Sequence, residues 1–127
     1  MARTVLDASA LLAFVNGEPG GEIVAENLAD ALISAVNFSE AIAKLVGRGV
    51  PFDRAVEMVR LAEVPVISFD RSLAEFAGGL MAQTKRRGLS FADRACLALA
   101  ARENLPALTA DRAWASLSIG VEIMNIR

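Results

Sequence analysis

Residues 91–101 read Phe-Ala-Asp-Arg-Ala-Cys-Leu-Ala-Leu-Ala-Ala, a helical run in which Ala95, Cys96, Leu97, Leu99 and Ala100 leave no broad polar side. A helix with no wet face is stable only when other elements cover it, so this run belongs inside a layered fold with its first turn alone reaching solvent. Ser90 and Asp93 stand at that first turn with the spacing of a capping box, in which the hydroxyl satisfies an orphan N–H and the acid reaches back to the cap. The chain therefore places a carboxylate at the mouth of its most apolar helix, on the rim of the core.

Three other acids occupy comparable settings. Thr4-Val5-Leu6 reads as a short buried strand, followed by Asp7 and an apolar helix over Ala10 to Val15 that stops at Asn16-Gly17. An acid between a strand and a helix sits where side chains gather at the carboxyl end of a parallel sheet. Capping that helix and holding an ion are compatible roles for Asp7. Glu22 to Leu32 has helical periodicity, with a brief strand near Ala31 to Ser34. In the next helix, Val36 to Gly47, Asn37 and Glu40 repeat the cap-and-N3 spacing. Taken alone, Glu40 reads as a capping glutamate. Further along, Thr109-Ala110-Asp111 follows the strand candidate Leu105 to Leu108.

The remaining segments complete the alternation. Phe52 to Leu61 is a helix joined to its predecessor through Gly49-Val50-Pro51, a hairpin of the kind that makes a protruding arm or a dimer contact. Val64 to Phe69 is a strand with proline at its start or on an edge. Asp70 opens a long helix through Thr84, in which Gly78-Gly79 costs about 1 kcal/mol per glycine relative to alanine. Close packing against another backbone would explain these glycines. Val121 to Ile126 is a terminal strand. Strands alternating with helices predict an α/β fold with a mainly parallel sheet covered on both faces, and 127 residues suit one domain spanning 1–127.

Composition narrows the chemistry. The chain is 54% hydrophobic with mean hydropathy +0.43, yet charge interrupts its apolar runs before any reaches the roughly 20 residues of a membrane span. No secretory signal pattern follows Arg3, and lone Cys96 suits a reducing cytoplasm. With 13 Lys and Arg against 15 Asp and Glu, the net charge of −2 argues against coating nucleic acid by bulk attraction. It still permits a local basic groove around an acidic centre. Lys85-Arg86-Arg87 is the strongest positive cluster, serving either a helix C-terminal dipole or phosphate contact. The absence of His and the single Cys exclude Cys/His zinc sites, Ser-His-Asp triads and imidazole bases. Trp114 reads as core.

Catalysis, if present, runs on carboxylates, hydroxyls, Lys or Arg and a bound ion. Asp7, Glu40, Asp93 and Asp111 can all converge at the carboxyl edge of one parallel sheet. Carboxylates in contact repel unless a cation joins them, and an oxygen-only set with Thr109 and Ser9 nearby suits Mg²⁺ or Mn²⁺. Such an ion activates water and offsets charge on phosphate oxygens. A chain this apolar could instead bury a face against a second copy or a partner.

Four segments in order, Val5-Leu-Asp-Ala-Ser9, Ser34-Ala-Val-Asn-Phe-Ser-Glu40, Gly88-Leu-Ser-Phe-Ala-Asp93 with Ala95-Cys-Leu-Ala98, and Leu108-Thr-Ala-Asp-Arg-Ala-Trp114, closely resemble the PIN-domain family, in particular VapC-type toxins of toxin–antitoxin pairs. No core acid of the family pattern is missing. The resemblance implies a three-layer α/β/α domain and a metal-dependent endoribonuclease leaving a 5′-phosphate and a 3′-hydroxyl. It makes Asp7 and Asp93 the most direct ligands of Mg²⁺ or Mn²⁺, with Asp111 bound directly or through water. Glu40 would bind metal or orient and deprotonate the attacking water. Thr109 would order the last acid, and Ser9 and Asn37 match neighbouring polar positions. Arg94, Arg112, Lys85, Arg86 and Arg87 become candidates for phosphate contact. A homodimer, a VapB-type antitoxin and a transfer or ribosomal RNA substrate follow from the same likeness. The rival readings are an inactive PIN scaffold that binds RNA or protein, and a nuclease acting on DNA.

Overall fold

A computed structural model describes residues 2–127. Five strands, β1 (Thr4–Leu6), β2 (Ala31–Ser34), β3 (Val66–Ile67), β4 (Ala107–Thr109) and β5 (Ile123–Asn125), form one sheet in the order β3-β2-β1-β4-β5. Every neighbouring pair is parallel, with Val5 opposite Leu32 on one side and Ala107 on the other. Helices α1 (Ala8–Val15), α2 (Gly21–Asn27), α3 (Ala35–Gly47) and α4 (Phe52–Arg60) fill the connections that lead outward from β1 to β3. Helices α5 (Arg71–Gly79), α6 (Met81–Thr84) and α7 (Phe91–Glu103) fill the return to β4.

Parallel strands are joined by right-handed crossovers, so reversing the direction of travel across a sheet moves the helices to its other face. The packing follows. Leu73, Ala77, Leu97, Leu99 and Trp114 cover one face through Val5 and Ala107. On the other face, Leu11, Leu12, Leu45 and Val59 gather over Ile33, while Ala10, Ala13 and Val24 cover Leu6 and Leu108. Alternation along each strand sends Val5 to one layer and Leu6 to the other. The result is the three-layer α/β/α arrangement expected. Helix α7 is as enclosed as its sequence demands, with Ala95 through Ala100 at 0% exposure. It ends where Asn104 turns left-handed at φ 55°. Among the described residues no helix is long and apolar enough to cross a membrane.

Several boundaries differ from the sequence reading. The expected strand Val64 to Phe69 contributes only Val66–Ile67, an edge pair hydrogen-bonded to β2 alone. The Asp70-capped helix does not run to Thr84, because it stops at Gly79 and resumes as the short α6. A Cβ on Gly78 or Gly79 would meet nothing within 4 Å, so close backbone packing does not account for them. They lower helix propensity where the helix ends. The cap of α3 is Ser34, whose Oγ accepts from Val36 N at 3.2 Å, rather than Asn37. Strand β2 passes into α3 without a linker, so the strand's last residue takes the cap. That places Asn37 inside the first turn and Glu40 one turn further on.

Candidate active site

All five strands point the same way, so their carboxyl ends share one edge. The order of strands reverses between β1 and β4, and the crevice at such a reversal is where open parallel sheets take ligands. Asp7 leaves β1 there, and Thr109 ends β4 beside it. Asp7 is only 5% exposed and fully engaged. Its Oδ1 accepts from Ser9 Oγ at 2.6 Å and from Ala10 N at 2.8 Å, and its Oδ2 accepts from Thr109 Oγ at 2.5 Å. Each hydroxyl in turn accepts a backbone N–H: Ser9 from Ala110 at 2.9 Å, Thr109 from Asp111 at 3.0 Å. Both hydroxyl protons are thus committed to Asp7, and the start of the Asp111 segment is fixed against them.

Asp93 and Glu40 approach from the two helical layers. Asp93 closes the expected capping box, with Oδ2 accepting from Ser90 N at 2.8 Å and its own N–H donating to Ser90 Oγ at 3.2 Å. Glu40 lies in the second turn of α3 and caps nothing, its nearest cation being Lys44 Nζ at 3.9 Å. Asn37, fully buried, ties the two helices: its Nδ2 donates to Ala92 O at 2.9 Å, and its Oδ1 has no protein partner. Asp111 is exposed, caps its own 3₁₀ turn through Ala113 N at 2.9 Å, and offers its carbonyl to Asn125 Nδ2 at 3.0 Å. The capping interpretation is therefore correct for Asp7 and Asp93 and fails for Glu40, while Asp111 adds a cap of its own.

Burial and charge set the electrostatics of the Asp7 region. Burial pushes Asp7 up to about 6, against the pull of Ser9, Thr109 and Ala10, and the charge of Asp93 pushes the same way. Burial also raises the Cys96 thiol, and Asp7, Asp93 and Glu40 all add to that rise. Three of the four acids thus act on one buried point behind α7's first turn, while Asp111 is joined to them through Thr109. Among the described residues no three acids approach closely enough to form a ready-made ion cage. The donor set nevertheless fits a hydrated Mg²⁺ or Mn²⁺, because Mg²⁺ keeps several waters and needs only one or two carboxylates. The mutual repulsion of Asp7 and Asp93 is the kind a cation relieves.

The basic candidates are placed unequally. Lys85, Arg86 and Arg87 are exposed on a 3₁₀ turn before α7, and Arg87 Nη2 donates to Ser116 O at 3.2 Å. Arg112 is exposed at the start of its 3₁₀ turn. Arg94 is half-buried, with Nε lacking a partner. Asn125, which holds the Asp111 carbonyl, escaped the sequence reading, and its only signal was a polar residue in a terminal strand. A separate hollow of about 640 Å³ lies on the α3–α4 hairpin, lined by Phe38, Ile42, Phe52, Val56 and Leu61 and by none of the four acids.

Comparison with protein families matches residues 4–119 to the PIN domain. Comparison with curated protein sequences finds no match. Among solved structures, a chain of DNA-bound VapBC from Salmonella typhimurium superposes with a TM-score of 0.78 at 19% identity, covering 100% of both chains. VapC20 of Mycobacterium tuberculosis, described as a sarcin–ricin loop cleaving toxin, gives 0.73 at 19% identity, over 94% of this chain and 98% of that one. FitAcB of Neisseria gonorrhoeae gives 0.70 at 20% identity, over 97% of each. At these identities the similarity is one of fold.

Proposed function

Since the chain belongs to the PIN-domain family, we propose that it is a metal-dependent endoribonuclease, the VapC-type toxin of a toxin–antitoxin pair, acting in the cytoplasm as a single PIN domain over residues 1–127. The observation that carries this reading is the hydroxyl-braced carboxylate Asp7 at the β1/β4 switch point, with the negative charge of Asp93 turned on it. Asp7 and Asp93 would hold Mg²⁺ or Mn²⁺, with Asp111 joining directly or through water. When bound, the ion would supply Lewis acidity and offset phosphate charge.

The chain's own residues then divide the work. Ser9 and Thr109 keep both oxygens of Asp7 in place and hold its ionised form in a buried setting. Thr109 passes that order to Asp111 through the Asp111 N–H. Asn37 sets the spacing between α3 and α7, hence between Glu40 and Asp93. Glu40 is free of any capping duty, so it is the acid assigned to orient the attacking water and accept its proton. Attack at phosphorus breaks the P–O3′ bond, leaving a 5′-phosphate and a 3′-hydroxyl that takes its proton from solvent. Lys85, Arg86, Arg87, Arg112 and Arg94 are assigned to backbone phosphates around this centre.

A VapB-type antitoxin and a second copy of the chain are the proposed protein partners. The solved complexes of similar fold support a toxin–antitoxin partnership, and the hairpin's exposed Phe52 and Leu61 offer apolar surface for one. Structured RNA and DNA offered with Mg²⁺, Mn²⁺ or chelator test the activity. RNA cleavage that chelator abolishes, and that Asp7→Asn and Asp93→Asn lose while remaining folded, is the expected result. Near-wild-type rates in both variants would remove those acids from the site. Binding without cleavage would favour an inactive scaffold, and preferential DNA cleavage a different substrate class.

A further inference from the structure

We infer that Phe91 is the base-stacking platform of the candidate active site, receiving an unpaired nucleobase beside the reacting phosphate. The inference rests on the ribonucleic-acid reading above and adds to it a residue that contacts substrate without belonging to the acidic set. The chain contains six Phe, one Trp and no Tyr, so few rings are available for stacking. Trp114 is completely buried. Phe14 and Phe38 pack into the α1–α4 core, and Phe69 against the α5–α7 core. Three rings are exposed: Phe52 on α4, Phe76 within α5 and Phe91. Phe91 alone of these is in the same helical turn as one of the acids.

Its position is specific. Phe91 is the first residue of α7, two before Asp93, and remains 50% exposed. Phe69, just beyond the carboxyl end of β3, meets it edge to face with ring centroids 5.5 Å apart at 84°. That contact fixes the ring against the core side while leaving half of it to solvent. An apolar ring so placed stays wet unless something flat covers it, and every base has a π-face to offer. The segment just before α7 supplies the matching charge. Exposed Lys85, Arg86 and Arg87 lead through Gly88 and buried Leu89 into Ser90. Residues 85–93 therefore carry cations for the sugar–phosphate backbone and a ring for a base, the pairing that holds single-stranded nucleic acid, and they end on Asp93 of the candidate site.

The test measures binding of the full chain to labelled oligoadenylate 12-mers, and to abasic 12-mers of the same backbone, in chelator. Phe91→Ala is expected to weaken binding to oligoadenylate about five- to a hundredfold, leaving the abasic strand unaffected. Phe91→Trp should retain the wild-type preference, and the new indole's fluorescence should be quenched on binding, over the background of Trp114. Phe76→Ala serves as the exposed-ring control and should change neither affinity. Equal loss on both strands, no loss on either, or an unquenched Phe91→Trp would overturn the assignment. So would a Phe91→Ala change in oligomeric state that accounts for the loss, since the ring would then be a protein contact. Base-dependent binding without any cleavage would sink the nuclease reading while sparing this one. Cleavage indifferent to Phe91 would do the reverse.

Discussion

Asp7 concentrates the residue-scale physics of the molecule. Three hydrogen bonds favour its charged form, yet burial outweighs them and moves it from 3.8 to about 6. A carboxylate whose folded value lies above its unfolded value gives most stability when protonated. That contribution is complete below about pH 4 and disappears as pH rises through about 6, leaving the ionised group costing about 3 kcal/mol at neutral pH. In chelator, unfolding free energies from urea titration should therefore fall more steeply between pH 4 and 6.5 for the wild type than for Asp7→Asn. At pH 7 the variant should be the more stable, by about 1–3 kcal/mol. Parallel curves would show that Asp7 is not under this strain. The sequence placed Asp7 between a strand and a helix with Ser9 two residues on, but Thr109 becomes its partner only once β4 lies beside β1. Asn37 shows the same limit: its spacing suggested a cap, whereas its amide reaches Ala92, a contact between distant segments.

At the scale of elements, glycines separate positions that look alike in sequence. Gly78 sits in an exposed stretch of α5 where an added Cβ meets nothing. Gly78→Ala should raise stability by about 0.5–1 kcal/mol through helix propensity and a less flexible unfolded chain. Gly20 and Gly21 behave oppositely. A Cβ on Gly20 would run into the Ile126 backbone, and one on Gly21 into the Ala13 carbonyl, while Gly20 also holds φ 94°. Alanine at either position should cost about 1–3 kcal/mol or more, since backbone cannot step aside as a side-chain tip can. Thermal melts of the three variants check both signs. Helix starts are largely legible, because caps are local chemistry: Ser90 is marked by its spacing to Asp93, and Asp7 and Asp70 by their places after a strand. Strand ends were not, because a ladder stops where its neighbour stops. Val64 to Phe69 has an apolar pattern of six residues, yet only Val66 and Ile67 find β2.

For the whole molecule, the weak net charge of −2 leaves nucleic-acid affinity to local cations. If Lys85 and Arg86 each neutralise one phosphate, the double variant Lys85→Gln/Arg86→Gln should reduce the slope of log affinity against log salt by about 1.4 on single-stranded RNA. Arg87 is left in place because it also holds Ser116. An unchanged slope would assign these residues to surface solvation alone. The alternation of apolar runs and helical segments was enough to specify a parallel sheet between two helical layers, since each segment's burial demand is written in its own periodicity. The fully apolar α7 was likewise explicit. Strand order was not, nor was the reversal between β1 and β4, for these depend on pairing between segments about a hundred residues apart. That pairing brings Thr109 to Asp7, and the long-range Asn37–Ala92 bond ties α7's first turn to α3. Local chemistry determined which groups the chain possesses, and long-range packing decided which of them meet.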